Sequence, residues 1–327
     1  MRSDDTISVK HHRANAHAYS CVEIGREVHM DSGSWKDRVF SFPAVLSNVE
    51  PDFDFGGKAP LTLQLTNSTG SWNAATWLSI TDIGTDEMVR VGRATIVDVR
   101  GDSANEPLVL THWRADDQRL VFDLIPNEFC PIAGVVSQVR ELVCSIGSDA
   151  RREFMASVFM IPSVFRHFWT APASRAHHHA YVGGLAEHSL EVAVLADVAR
   201  QVESWQRDLL VAYALLHDVG KVWAYKNGEL TGEARRYGHE QLGYRRLCSC
   251  LDTLCAVDPN LGDLMTGLLS CAWKRDYRHQ VATLGGIVRA MDRFSAARFM
   301  ECASRRSACE SDHHSFDDAT WRVSAHP

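Results

Sequence analysis

The spacing of apolar residues changes once along the chain, near Pro126. Before it, in residues 36–125, apolar and polar residues alternate, most clearly at 61–66, which is typical of β-strands. Residues 67–70, with the sequence NSTG, predict a turn between two of these strands. After Pro126 the apolar residues recur at helical spacing, first within 135–146. The pattern therefore predicts a β-rich region followed by a helical one.

Five short apolar and β-branched stretches follow one another in the first region, with no convincing helix among the last four. Five strands in about 90 residues suit a small antiparallel barrel of the OB type. The predicted helices cover residues 132–147, 149–160, 184–203, 206–218, 237–256, 260–273 and 280–300. The fold prediction is thus α+β and multidomain, with a polar arm at 1–35, a barrel at 36–125, an all-α domain at 126–300 and a polar tail at 301–327.

Composition narrows the class of protein. With 45 % hydrophobic and 23 % charged residues, the chain is typical of a globular protein. No apolar run approaches the roughly 18 residues of a membrane span, and the first residues lack the apolar stretch of a secretion signal. We therefore expect a cytoplasmic protein with no membrane partner. The nine cysteines lack the spacing of a disulfide framework, and Cys248, Cys250 and Cys255 form only a weak zinc pattern.

Three apolar segments each contain residue types that bind metals. His217 and Asp218 stand together at the end of an apolar helix, in the run LLHDVGK. A carboxylate in such surroundings needs a compensating partner, and a divalent cation accepts both imidazole and carboxylate ligands. His188 lies upstream in a second predicted helix, and Asp292 lies downstream in a third. One histidine in a helix is more often a core residue, but three such helices together favour a shared metal site.

Neighbouring residues suggest further roles at this site. Gly220 is expected to let the chain turn at the helix end. Lys221 is placed where its ammonium could hold a phosphoryl oxygen. His178 and His179, just before the first ligand helix, could contact a substrate, although an ordinary surface loop is an equally good interpretation.

At this point the residues resemble a known family. The order His188, His217-Asp218, Asp292 resembles the H…HD…D signature of the HD superfamily. The segment HHAYVGGLAEHSLE, residues 178–191, is similar to the HD domains of YhaM-type 3′→5′ exoribonucleases and of MobH/TraI-type relaxases. This resemblance covers about residues 130–300. The order of a barrel followed by helices extends the resemblance to the YhaM type over residues 36–125.

The resemblance implies a phosphohydrolase that binds a divalent ion such as Mn, Mg, Fe, Ni or Co. The implied metal ligands are His188, His217, Asp218 and Asp292, and the implied catalytic residues are Asp218 and Lys221. Many members hold a second metal, for which His239 is the matching residue. Where YhaM-like proteins have an S-H-H segment, residues 270–273 here read SCAW, so both histidines are missing; His279 stands a few residues on.

The expected function is that of a metal-dependent phosphodiesterase, in particular a 3′→5′ exonuclease acting on single-stranded nucleic acid, with RNA favoured. Two alternatives stay open: a phosphohydrolase of small nucleotides, and a degenerate HD module that binds nucleic acid or protein in conjugation or mobile elements. A homo-oligomer is also left open.

Nucleic-acid binding by the barrel has mixed support from the sequence. The aromatic residues that could either stack bases or fill the barrel are Phe40, Trp72, Trp77 and Trp113. Residues 36–125 contain 8 Lys and Arg against 13 Asp and Glu. Phosphate affinity depends on a local cationic surface, so this balance argues against a strong binder.

Overall fold

The computed structural model describes residues 39–51, 60–83, 88–98, 107–116, 118–198, 202–226, 228–276, 278 and 280–317, with side chains described up to residue 301. All of these residues fall within one unit, Arg38–Pro327. The predicted N-terminal arm lies outside the described residues. Among the described helices, none has the length and apolar character needed to cross a bilayer.

Five strands form the N-terminal sheet: β1 (Val39–Pro51), β2 (Leu61–Asn67), β3 (Gly70–Thr76), β4 (Arg90–Val97) and β5 (Leu108–Ala115). They pair in the order β1-β2-β3-β5-β4, and β4 pairs again with β1. The β3–β5 pair is parallel and the other four are antiparallel. The sheet is therefore mixed, and the prediction of a wholly antiparallel arrangement was wrong. An odd number of strands cannot alternate in direction around a ring, so one neighbouring pair must be parallel.

A four-residue helix, α1 (Ile80–Ile83), follows β3, where the sequence predicted no helix. The Ser79 hydroxyl begins it, accepting from the backbone N–H of Asp82 and lying 2.6 Å from the Asp82 carboxylate, to which it donates. Ile83 is buried in the apolar cluster inside the sheet. One turn is too short to show helical periodicity, which is why the pattern missed it.

The interior of the sheet is filled by alternating strand residues, as the period-two pattern predicts. The buried members of this cluster are Ala44, Leu46, Leu63, Leu65, Ala74, Ile83, Ala94, Ile96, Leu108 and Leu110. Phe40, Trp72 and Trp113 pack against it and are partly buried. Trp77 is 65 % exposed. Three of the four aromatic candidates for base stacking therefore contribute to the core.

The remaining elements form the helical region. In chain order they are α2 (Val135–Ser145), α3 (Asp149–Phe159), α4 (Pro162–His167), α5 (Gly184–Asp197), α6 (Ser204–Leu216), α7 (Lys221–Ala224), β6 (Tyr225–Lys226), β7 (Glu229–Leu230), α8 (Gly232–Arg246), α9 (Cys248–Val257), α10 (Pro259–Leu269) and α11 (Ala282–Asp317). Short 3-10 helices lie at Val121–Leu124, Asn127–Phe129 and Ala272–Lys274. The strands β6 and β7 pair as a small hairpin between α7 and α8.

Most predicted helices are present, with several differences, among them the unpredicted four-residue helix α7. The predicted helix at 237–256 is two helices, α8 and α9, which meet at Leu247. The start of α8 is set by Thr231, whose hydroxyl accepts from the Ala234 backbone N–H, and not by an apolar stripe. The short helix α4 was not predicted, and α11 continues to Asp317, past the predicted end at residue 300.

Strands and helices share one large apolar cluster. Val45, Val89 and Val91 of the strand region belong to the same buried cluster as the helical core. The backbone N–H of Val89 also donates to the carbonyl of Met160, at 2.8 Å. The domain boundary near residue 125 stays a prediction, but any such boundary is crossed by apolar contacts.

The helices that matter for the site pack directly on one another. The apolar face of α5 packs against α6, and α11 contacts both. Gly183, with a φ of +88°, begins α5 in a conformation that favours glycine. A capping box between Glu203 and Gln206 begins α6. These three helices bring distant parts of the sequence to one place.

We predict that Gly92→Ala destabilises the protein. A Cβ at Gly92 would lie 2.5 Å from the Trp113 ring and 2.6 Å from the Arg114 carbonyl oxygen. Overpacking of this kind costs about 1–3 kcal/mol, which urea unfolding would measure. Gly286→Ala in α11 is the control, because its Cβ meets no neighbouring group within 4 Å. Unfolding at the same urea concentration for both variants would contradict this account.

Candidate metal centre

Three packed helices supply the predicted ligands. His188 lies on the buried face of α5, and Asp292 lies on α11. His217 is the last residue of α6 in helical conformation, and Asp218 follows it directly. The end of α6 therefore presents two ligand-type side chains toward its neighbours α5 and α11.

The four side chains meet at one point. The Nε2 atom of His188 lies 3.1 Å from Asp292 Oδ1 and 3.7 Å from Asp218 Oδ2. The Nε2 atom of His217 lies 3.4 Å from Asp218 Oδ2 and 4.0 Å from Asp292 Oδ1. Exposure ranges from 0 % at His188 to 35 % at Asp292. The structure thus brings together all four residues that the sequence singled out; their role as metal ligands stays a prediction.

The protonation of His188 follows from its neighbours. The Ser295 hydroxyl donates to Glu191 Oε2 at 2.5 Å. Having given its single proton to Glu191, that hydroxyl can only accept from Nδ1–H of His188, 3.2 Å away. The proton of the neutral imidazole is then on Nδ1, and Nε2 presents a lone pair to the two aspartates.

His217 is fixed in the same way by the backbone. Its Nδ1 lies 2.7 Å from the carbonyl oxygen of Ala214, which can only accept a hydrogen bond. The Nε2 atoms of His217 and His188 are both buried and have no hydrogen-bond partner of acceptable geometry among the described residues. Two imidazole lone pairs therefore face two carboxylates, which is unfavourable without a cation between them. Imidazole nitrogen and carboxylate oxygen are suitable ligands for a divalent transition metal.

The pKa shifts of Asp218 and His217 also indicate a site that favours positive charge. Burial acts to raise the pKa of Asp218, but His217 and Lys221 outweigh it and hold that pKa well below its usual value. Burial acts to lower the pKa of His217, but the Asp218 and Asp292 carboxylates raise it above its ordinary value. Without a metal, His217 therefore takes up a proton readily. Since a bound metal must displace that proton, metal affinity falls as the pH drops through the raised pKa of His217.

The Asp218 carboxylate has two further neighbours. The Lys221 ammonium, largely buried, lies 2.5 Å from Asp218 Oδ2. The Nε2 atom of His239, whose side chain is 38 % exposed, lies 2.9 Å from Asp218 Oδ1. Each oxygen of one carboxylate thus faces a different group, with His239 on the open side.

Gly220 has a different role from the one expected. Its φ of −60° and ψ of −17° are ordinary helical values, so the turn after α6 does not require glycine. A Cβ at Gly220, however, would lie 1.8 Å from the carbonyl oxygen of His239 and 2.7 Å from the backbone nitrogen of Gly243. The missing side chain lets α8 approach closely and places His239 beside Asp218.

The two histidines proposed to contact a substrate differ in position. His179 is 1 % exposed, and its ring packs 4.5 Å from that of Phe299. His178 is partly exposed, and its ring lies 5.2 Å from that of His188. Burial lowers the pKa of His178, so it favours the neutral form. His178 is therefore the better placed of the two to touch a substrate.

The residues that could hold a metal all surround His188. Among the described residues, each set of three close ligand atoms contains His188, together with His178 and Asp292, with His179 and Glu191, or with His217 and Asp218. None of these sets includes His239.

In place of the S-H-H segment, the chain packs a tryptophan. Trp273 is buried against Gly285 of α11, where an added Cβ would lie 2.4 Å from the indole ring. The amide of Gln241 donates to the carbonyl of Ser270 at 2.8 Å, which joins the segment to α8. The substitute candidate His279 lies outside the described residues.

Two residues of the site were missed by sequence reasoning, Glu191 and Ser295. Each lies three positions after a ligand on its own helix, Glu191 after His188 and Ser295 after Asp292. Such residues share a helix face, and this spacing is the signal that could have identified them. Ser295 forms a hydrogen bond with His188, and Glu191 accepts one from Ser295. Hydrogen-bond partners of this kind orient the histidines that bind metals.

Comparison with known proteins agrees with this geometry. Residues 185–297 match the HD domain family. The 3′-5′ exoribonuclease YhaM of Bacillus licheniformis is 28 % identical over 179 residues, 51 % of this chain and 54 % of that protein. YhaM of Listeria welshimeri is 25 % identical over 232 residues, 65 % of this chain and 70 % of that protein. YhaM of Listeria monocytogenes is 46 % identical over 56 residues, 17 % of this chain and 18 % of that protein.

The match spans about half the length of several of these relatives. No solved structure was found to match the chain. The predicted resemblance to the HD superfamily and to YhaM is confirmed. The resemblance to MobH/TraI-type relaxases is not shown by these matches and stays a prediction.

We expect Ser295→Ala to weaken metal binding. The variant removes the acceptor that keeps the His188 proton on Nδ1, and loss of such a partner typically costs about 10- to 100-fold in metal affinity. Titration with Co²⁺, followed by its visible absorption, measures the affinity. Ser295→Thr, which keeps the hydroxyl, should restore most of it.

Ser189→Ala is the matched control for this experiment. Ser189 is a buried serine next to His188 on α5, and its hydroxyl has no hydrogen-bond partner among the described residues. Its removal should leave Co²⁺ affinity unchanged. Equal losses in Ser189→Ala and Ser295→Ala would show that packing, and not the hydrogen bond, is responsible.

We expect a second ion to bind more weakly than the first and to depend on His239. His239 offers one nitrogen beside one carboxylate oxygen, whereas four ligand-type side chains meet at the first predicted site. Mn²⁺ titration by calorimetry should resolve a tight event and a weak one, and His239→Ala should remove only the weak event. Two equally tight sites would contradict the assignment.

Proposed function

We propose that this chain, which resembles the HD superfamily and carries an HD domain over residues 185–297, is a metal-dependent hydrolase of phosphate esters. We further propose that its substrates are phosphodiester bonds at an end of single-stranded nucleic acid, with RNA favoured. One observation carries the proposal: the Nε2 atoms of His188 and His217 converge on two carboxylates, those of Asp218 and Asp292.

Each of the four proposed ligand side chains has a defined role. A divalent ion held by these four residues would lower the pKa of a bound water and polarise a phosphoryl oxygen. His188 and His217 contribute Nε2, because their Nδ1 atoms are committed to Ser295 and Ala214. Asp218 is ionised throughout the neutral range, because its pKa is held well below its usual value.

Lys221 supplies positive charge next to the reacting group. Its ammonium is held at Asp218 Oδ2 and is largely buried, so its position is fixed before a substrate arrives. An ammonium has three donors, and Asp218 engages one of them. The others are available to a phosphoryl oxygen, whose negative charge increases during hydrolysis.

The nucleic-acid part of the proposal is supported by the relatives and by the strand region. The similar proteins are described as 3′-5′ exoribonucleases, from which we propose the direction and the preference for RNA. Five strands, paired so that β4 returns to β1, support an OB-like barrel. Its excess of acidic residues implies weak binding that is sensitive to salt.

Activity assays on metal-loaded protein test the proposal. Labelled RNA, labelled DNA and a panel of nucleoside phosphates are compared as substrates at increasing salt. Asp218→Ala should abolish hydrolysis, since it removes a ligand and the partner of Lys221. Lys221→Ala should slow hydrolysis by about 100-fold, in the range found for single charge-stabilising groups, while the metal stays bound.

Asp252→Ala is the matched control, because Asp252 is an exposed carboxylate on α9. It should hydrolyse at the wild-type rate. Cleavage of nucleoside phosphates alone would favour the small-nucleotide alternative. If metal binds and no phosphate ester is hydrolysed in an Asp218-dependent way, the chain is a binding module and the enzymatic proposal is wrong.

A further inference from the structure

Positive charge is concentrated on α8, next to the candidate metal centre. The helix contains four arginines and two glutamates within Gly232–Arg246. The strand region, by contrast, has more acidic than basic residues. If a polyanion reaches the site, α8 offers it a cationic surface.

Among the described residues, two of these arginines lie within 4.0 Å of a carboxylate and two do not. Arg246 lies 2.8 Å from Glu233, and Arg235 lies 3.8 Å from Glu229. Arg236 and Arg245 have no carboxylate within 4.0 Å in the described part of the chain. Both guanidinium groups lie instead over the ring of Tyr237, at 5.7 Å and 4.7 Å from its centroid.

Tyr237 is open to solvent and close to the site. Its side chain is 45 % exposed. Only Gly238, with a φ of +75°, separates it from His239, so the Cα atoms of Tyr237 and His239 are at most roughly 7.6 Å apart. His239 lies on the open side of the metal centre, whereas His188, His217 and Asp218 are nearly enclosed. Tyr237 is therefore an exposed aromatic ring close to this side of the metal centre.

We propose that Tyr237, Arg236 and Arg245 form a binding platform for single-stranded nucleic acid. A base stacks on the Tyr237 ring, and the two guanidinium groups contact the adjacent phosphates. This inference rests on the proposed function, because it names the part of the chain that holds the substrate strand beside the metal centre. It assigns the principal strand contact to α8 and not to the barrel.

The spacing of the three side chains suits this role. At 5.7 Å, Arg236 is near the outer limit of about 6 Å for a cation–π contact, so a base can replace it on the ring. Its guanidinium then becomes free for a phosphate, which it can bind through two parallel hydrogen bonds. Arg245, at 4.7 Å, remains against the ring and contacts the neighbouring phosphate from there through its N–H groups. Stacking on an aromatic ring accepts any base, which suits an exonuclease that passes along a strand.

Binding measurements separate this inference from the proposed function. The probe is a fluorescent phosphorothioate-linked oligo(dA), which resists hydrolysis, and its affinity for metal-loaded protein is measured by anisotropy. Tyr237→Leu should weaken binding about tenfold, and Tyr237→Trp should retain or strengthen it. For the wild type, replacing the stacked nucleotide of the probe by an abasic residue should weaken binding as much as Tyr237→Leu does. For Tyr237→Leu, the same replacement should cause no further loss of affinity.

The arginines have a charge-matched control on the same helix. Arg245→Gln and Arg246→Gln remove the same charge one position apart, but Arg246 is paired with Glu233. Arg245→Gln should lower oligonucleotide affinity several-fold more than Arg246→Gln and should flatten its dependence on salt. Equal effects of these two variants, wild-type affinity in Tyr237→Leu, or no binding by the wild type would overturn the platform. Binding that depends on Tyr237 in a protein with no hydrolytic activity would leave the platform standing and reject only the proposed function.

Discussion

The structure depends on one unfavourable arrangement, two imidazole lone pairs that face two carboxylates in a nearly enclosed space. Such an arrangement persists only if the rings cannot turn and if positive charge, from a proton on His217 or from a bound cation, relieves the repulsion. The chain fixes both rings from behind, His217 through the Ala214 carbonyl within α6 and His188 through Ser295 on α11. The second bond also ties α5 to α11, so the contact that orients a ligand is at the same time a contact between two helices.

Close backbone approach brings the flanking histidines to this centre. A Cβ at Gly184 would lie 2.1 Å from the carbonyl oxygen of His179, and one at Gly220 would lie 1.8 Å from that of His239. At both positions the backbone of another segment occupies the space that a side chain would need. Gly184 and Gly220 therefore act through the space they leave, whereas Gly183 acts through its left-handed backbone conformation. This explains why position 220 requires a glycine although its backbone conformation is helical.

The sequence was most informative where a polar residue lies among apolar neighbours. His188, His217, Asp218 and Asp292 could be identified because each is polar within an apolar helix, and the structure brings them together. Ser295 and Glu191 were missed, since a serine and a glutamate are ordinary residues in a helix. Only their spacing of three residues from Asp292 and His188 pointed to them, and their role depends on a contact between α5 and α11. The parallel strand pair and α1 were missed for another reason. Apolar periodicity reports which face of an element is buried, but neither the direction of its neighbour nor a single helical turn.

The carboxylate of Asp218 explains why one strong metal site is expected and not two. Its Oδ2 faces His188, His217 and Lys221, whereas its Oδ1 faces His239 alone. A second ion at Oδ1 would have to find its remaining ligands on that open side. In the segment that could supply them, residues 270–273, burial raises the pKa of the Cys271 thiol to about 11, which disfavours the thiolate that a metal requires, and Trp273 is buried against Gly285. An indole nitrogen carries a hydrogen and has no lone pair to offer a metal. On this side the chain has replaced ligands by packing, and the positive charge near Asp218 comes from Lys221, which belongs to the folded chain and needs no second ion.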